Sequence, residues 1–283
     1  MIKNTLFSAA LVMSSLACED MSTFTDTVTD TVSNLQADFV QVLGSVDVKI
    51  TQGDRTALVV RGNRNDLERQ PYFLDGRTLV LGANGPRDNY NYGELHYELT
   101  LPELNRVSLN GSGNVHINPV ELDEIELNVN GSGDIRASSI AAEEIELKIQ
   151  GSGALEVTEA RVQNVSLLVA GSGNINLGEV ELDVVKSAIA GSGDISVKSS
   201  LALASTVKMS IHGQGGIDMT PVEFDNAKID ILGSGNAQVG EVKSMEVKIV
   251  GSGDVHYSGT PEINSNVLGS GNLHRRNRSR DIP

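Results

Sequence analysis

The chain has 283 residues, enough for a sizeable core; 39% are apolar but only 4% aromatic, and tryptophan is absent. A formal net charge of −15 at pH 7 makes nucleic acid and anionic membrane surfaces poor partners. The single cysteine excludes an internal disulfide, and the shortage of rings counts against a sugar-cleaving groove.

Residues 1–17 read as an export signal: Lys3, then the apolar run Leu6 to Met13, then the small residues Ser14, Ser15 and Ala17. The run is too short for a permanent span. Cys18 follows directly, and Ser15-Leu16-Ala17-Cys18 resembles a bacterial lipoprotein processing site, although Ser15 stands where such sites favour leucine. Lipidation at Cys18 is the expectation, with ordinary cleavage nearby as the alternative; either way the chain leaves the cytoplasm. Residues 18–38 then serve as lipid anchor and flexible tether, rich in Thr, Ser and Asp and free of glycine.

From Phe39 a β pattern begins. Val46, Val48 and Ile50 alternate before Gln52-Gly53-Asp54, and Leu95, Tyr97, Leu99 and Leu101 alternate later. Residues 39–104 are expected to form atypical coils at the N-terminal end of a stack, protecting the first regular coil.

Residues 105–274 carry a repeat. The triplet Gly111-Ser112-Gly113 returns with first glycines at Gly131, Gly151, Gly171, Gly191, Gly233, Gly251 and Gly269, and Gly213-Gln214-Gly215 fills the one gap. The steps are 20, 20, 20, 20, 22, 20, 18 and 18 residues, the mark of a repeat architecture. Two positions before each first glycine the residue is apolar (Leu109, Val129, Ile149, Val169), as it is four positions after (Val115, Ile135, Leu155, Ile175). Such period-2 alternation reads as strand with one buried face. Each unit is therefore strand, glycine corner, strand and a short return, such as residues 119–124. A unit this short cannot bury its apolar face alone and must stack on its copies. The glycines permit a tight bend and close backbone approach, and the serines are expected to exchange hydroxyl hydrogen bonds from coil to coil. Residues 275–283 form a basic tail, with Arg275, Arg276, Arg278 and Arg280.

Gly44-Ser45-Val46-Asp47-Val48-Lys49-Ile50, then Asp75-Gly76-Arg77-Thr78-Leu79, then Leu101-Pro102-Glu103-Leu104 leading into the first Gly-Ser-Gly, resemble the bacterial head GIN domain family of auto-transporter adhesins. The end, Gly251-Ser252-Gly253-Asp254-Val255-His256-Tyr257-Ser258-Gly259-Thr260-Pro261, matches too. The resemblance implies an all-β fold, a right-handed parallel β-helix (β-solenoid) with ~20-residue coils and Gly-Ser-Gly corners. It implies no established enzymatic activity and a proposed role in adhesion.

Three sharper chemistries compete with structural readings. Asn114, Asp134, Asn174, Asp194, Asn236, Asp254 and Asn272 could offer calcium ligands, but one side chain per corner supplies too few oxygens for an ion wanting six to eight. A stacked Asn/Asp column is expected instead. Glu121, Asp123, Glu124, Glu143 and Glu144 could serve a polysaccharide lyase, yet recurrence as Glu181 and Asp183 suits a solvated acidic face. His96, His116, His212, His256 and His274 are read as scattered strand residues that cannot share a metal. The expectation is a non-catalytic envelope or surface module, with no cofactor and no metal. It would present a rigid polar rod to a glycan or protein partner, with membrane contact through Cys18 and possible side-by-side homo-oligomers. A periplasmic scaffold or envelope-stress component is the structural alternative, a lyase the enzymatic one.

Overall fold

A computed structural model describes residues 27–33 and 35–276. Inward and outward residues alternate along almost every strand, and the strands wind into a β-solenoid of about eight turns.

The first elements are β1 (Thr27–Ser33), β2 (Phe39–Gly44), β3 (Asp47–Gln52), β4 (Ala57–Asn63), α1 (Arg64–Leu67), β5 (Tyr72–Asp75), β6 (Thr78–Leu81), β7 (His96–Leu101), β8 (Arg106–Gly111) and β9 (Asn114–Ile117). After β10 (Val120–Glu121) and β11 (Glu124–Gly131) comes the 18-residue β12 (Asp134–Gly151), and later coils repeat its form.

β12 shows why a coil closes. Ile135, Ala137, Ile140, Ile145, Leu147 and Ile149 are buried, so alternation skips a beat after Ala137 and again before Ile145. Pairing with the next coil is continuous except at Ser138 and Glu143. Those two breaks and the glycine triplet are the three corners of a three-sided coil: residues 134–137, 139–142 and 144–151. The return expected as a loop is thus itself a strand in the coils of residues 134–151, 154–171, 174–191 and 236–251. It stays irregular in the coil through Pro119, where proline cannot donate to the ladder, and around residues 201–202, 220–222 and 259–261.

Inward residues stack in columns such as Val129, Ile149, Val169, Ile189, Ile211, Ile231 and Ile249. Each such burial contributes roughly 1.5–3 kcal/mol. Variation in coil length falls away from the glycine corners. The 22-residue coil places its extra residues around Leu201 and Leu203, which project into solvent, and a register shift between Gln238 and Glu241 absorbs a shortening.

Spatial order at the N-terminal end differs from chain order. β2 lies between β6 and β8, and β3 between β7 and β9, all parallel. The chain therefore starts one layer inside the end, then loops out through β4, α1 and β5 to lay β6 and β7 over its own beginning. β4 pairs antiparallel with β7, and β5 with β6. Residues 39–104 are thus two atypical coils, an inner one of β2 and β3 and a capping one of β6 and β7, stacked out of chain order and backed by antiparallel strands. Tyr97 ties β7 to the residues flanking β5 and β6: fully buried, it donates its hydroxyl to the Pro71 carbonyl (2.7 Å) and accepts from the Gly82 N–H (3.1 Å). Burial pushes its phenol pKa well above the usual value.

The tether reading of residues 18–38 also changes in part. β1 pairs antiparallel with β4, Val32 opposite Leu58, so this stretch adds a strand to the cap. Its alternating Thr/Val sequence suits a strand better than a linker. Residues 1–26, with the export signal and Cys18, and residues 277–283 of the basic tail lie outside the described residues.

Candidate binding surface

The corners carry the stack. The Ser132 and Gly133 N–H groups both donate to the Gly111 carbonyl (3.0 Å each), and the same pair of bonds recurs at later corners. A Cβ added at Gly171, whose φ is +136°, would lie 2.3 Å from the Gly151 carbonyl oxygen, so neither the dihedral nor the spacing admits a side chain. The corner serines are exposed, and the links between corners are these backbone bonds rather than the expected hydroxyl exchange. Gly44-Ser45-Val46 is a further corner, in register with Gly111-Ser112-Gly113.

Beside the corners runs the Asn/Asp column. Asp134 Oδ1 accepts from the Ala154 N–H, Asn174 Oδ1 from Asp194, Asp194 Oδ1 from Gly216, Asn236 Oδ1 from Asp254 and Asp254 Oδ1 from Asn272, all at 2.7–3.0 Å. The column begins earlier than the repeat, since Asn114 Nδ2 donates to Asp47 Oδ1. Each of these oxygens ties one coil to the next.

The acidic returns gather as expected. Glu121, Asp123, Glu124, Glu143 and Glu144 line one hollow, with Glu124 beside Glu144 in register. Carboxylates repeating along a ridge give no distinct acid and base. The histidines differ from expectation. His256 and His274 occupy neighbouring coils and stack with ring centroids 4.9 Å apart, and His274 Nε2 lies 3.8 Å from Asp254 Oδ2. The last two coils are adjacent, and comparison of His116 with His256 alone hides that. Burial lowers the His256 pKa, and Arg276 and His274 lower it further. No group of three metal-ligating side chains is placed to hold an ion among the described residues.

The most distinctive concavity is a trough of 570 Å³ on the face that precedes the glycine corners. Leu168, Ala188 and Ser210 follow one another in register along it, and Leu232 and Val250 form its far wall. Lys186 and Lys208 stand on the near side, in register on adjacent coils. Ser187 fills an inward position held by Leu167 and Met209 in the flanking coils, and its buried hydroxyl donates to the Lys208 carbonyl. Two other lysines of this face are neutralised, Lys148 by Glu126 and Glu146 and Lys228 by Glu246, whereas among the described residues Lys248, at the opposite end of the trough, is not. Lys186 and Lys208 have no ion pair among the described residues. Sequence reading missed this surface. Its signal is the column one residue before the first glycine, which passes from Asn110, Asn130 and Gln150 to Ala170, Ala190, His212, Leu232, Val250 and Leu268.

Comparison with solved structures finds the same fold. A "putative adhesin" from Parabacteroides merdae superposes with a TM-score of 0.68 at 18% identity, over 89% of this chain and 96% of that one. A "putative lipid binding protein" from Parabacteroides distasonis gives 0.67 at 24% identity, over 89% and 97%. A "putative adhesin" from the same species gives 0.65 at 16%, over 89% and 97%. No curated protein matches the sequence. The family model described as "Putative auto-transporter adhesin, head GIN domain" matches residues 38–210 and 201–261, and the chain belongs to that family.

Proposed function

We propose that the chain is a non-catalytic, adhesin-like binding module of the cell envelope, exported and held to a membrane through Cys18, with its rod presented to a glycan or protein. The observation that carries this reading is the column organisation. Polar groups repeat coil after coil, as a recognition surface needs, while acid–base chemistry needs two carboxyls in unlike environments. Family membership supports a surface role, and a module built on rigid strands keeps its contacts pre-organised. Protease shaving of intact cells, comparing wild type with Cys18→Ala, tests it. Cleavage of the wild type, with release or trapping of the variant, is the expected result. Resistance until the outer membrane is opened would exclude adhesion and favour the periplasmic scaffold.

A further inference from the structure

The chain carries a net −15, yet the near side of the trough sets two lysines with no ion pair side by side. Like charges directly opposite on paired strands repel. On the same face Lys228 is neutralised by Glu246 at 2.8 Å, so partners are available to lysines where the fold uses them. Lys186 and Lys208 are left to something outside the chain, and that something is anionic.

The apolar part of the trough is Leu168, Ala188, Leu232 and Val250, with Ser210, His212, Asp230 and Lys248 among and beside them. Leu232 is 53% exposed, and it stands beyond Ala188 and Ser210 with Val250 in the next coil. From Lys208 to Val250 the floor runs two coils along the rod and four residues across it, roughly 16 Å. That is about half the ~30 Å hydrocarbon core of a bilayer, the reach of one acyl chain. The trough volume of 570 Å³ lies in the range of small-molecule sites. A peptide fits less well, because backbone groups on a sheet face are already paired within the ladder and would leave a second backbone desolvated without partners. A glycan fits less well because no Phe, Tyr or Trp ring lines the trough as a stacking platform. Asp230, facing the trough beside Lys248, leaves the Lys186–Lys208 end as the positive one.

We infer that this trough holds a single-chain anionic amphiphile, its carboxylate or phosphate between Lys186 and Lys208 and its acyl chain laid over Ala188 and Ser210 toward Leu232 and Val250. The inference rests on the reading of the chain as a binding module and names the ligand class of one face. The head could belong to a fatty acid or to a phospholipid; both share the acidic group and the chain.

The test is equilibrium binding to the full chain carrying Cys18→Ala, which removes any acyl group of its own. Palmitate and 1-palmitoyl lysophosphatidate are the probes, with cetyl alcohol and octanoate as controls. Saturable binding of one probe molecule per chain is expected, with the controls at least about tenfold weaker, a difference of about 1.4 kcal/mol. Preference between the two probes assigns the head. Lys186→Gln/Lys208→Gln should weaken binding about tenfold and Leu232→Asp by at least as much, each with an unchanged melting temperature because the sites are on the surface. Absence of saturable binding, equal binding of cetyl alcohol, or binding untouched by both variants would overturn the inference. Shaving reads display independently: a shaved protein that binds neither probe overturns the trough alone, and one that binds yet resists shaving overturns surface display alone.

Discussion

The two ends of the rod solve the same problem differently. At the N-terminal end the chain turns back over its own first coil, and β6, β7 and the antiparallel strands behind them cover the apolar columns. At the other end the last long strand, Glu262–Gly269, pairs on one side with the preceding coil, and Ile263 and Leu268 are left 39% and 58% exposed. Its sequence is correspondingly polar: Ser265 falls in register with Val247, an inward position earlier in the stack. One end is closed by topology and the other by thinning out the apolar residues. A solenoid transmits order from neighbour to neighbour, so the closed end anchors the stack and the open end frays first.

The strongest way to break this contrast is to place one substitution at both kinds of position. Gly171→Val should cost about 3 kcal/mol or more and lower the melting temperature of the whole domain, because Gly171 is clasped between Gly151 and Gly191. Gly269→Val meets the same clash against Gly251 but has no described coil beyond it. It should cost about 1 kcal/mol and loosen the last coil locally. Equal losses at both positions, read by calorimetry, would show that the open end is as tightly held as the middle.

At the closed end Tyr97→Phe should cost about 1 kcal/mol, since the Pro71 carbonyl and the Gly82 N–H, bonded to each other at 3.0 Å, both lose the hydroxyl as a second partner. A wild-type urea midpoint for this variant would show the hydroxyl to be idle in holding the capping coil together. Without mutation, hydrogen exchange should be slowest in residues 144–191 and fastest in 262–276, a gradient that a uniformly stable rod would not give.

The smallest effect concerns acid. His256 has its pKa held below the ordinary 6.5 by burial, then by Arg276 and His274, with Asp254 opposing. The frayed coil therefore binds protons more readily than the ordered one, and local stability falls as pH drops through 6.5 toward the folded value. Exchange in 262–276, corrected for its intrinsic pH dependence, should quicken at pH 5 relative to pH 7.5, and His256→Gln should flatten that difference.

Most of the stack was legible because the glycine requirement is absolute: a Cβ at any regular corner would enter the backbone of the coil before it. The corner at Gly44 was not legible, since Val46 replaces the third glycine and 67 residues separate Gly44 from its neighbour Gly111. The cap's layering escaped for a related reason, being a non-local order that period-2 alternation cannot encode. The acidic ridge and the Asn/Asp column followed from the repeat. The trough did not, because Lys186, Lys208, Leu232 and Val250 are unremarkable singly and become a surface only when the outward columns are aligned.

The corner bonds run from backbone to backbone, and every change in coil length is taken up elsewhere on the circumference. Adding or removing a whole coil would consequently leave every remaining corner with the same partner geometry, while changing the reach of the rod by ~4.8 Å. Copy number thus acts as a ruler, setting how far an anchored module extends without altering the surface it carries.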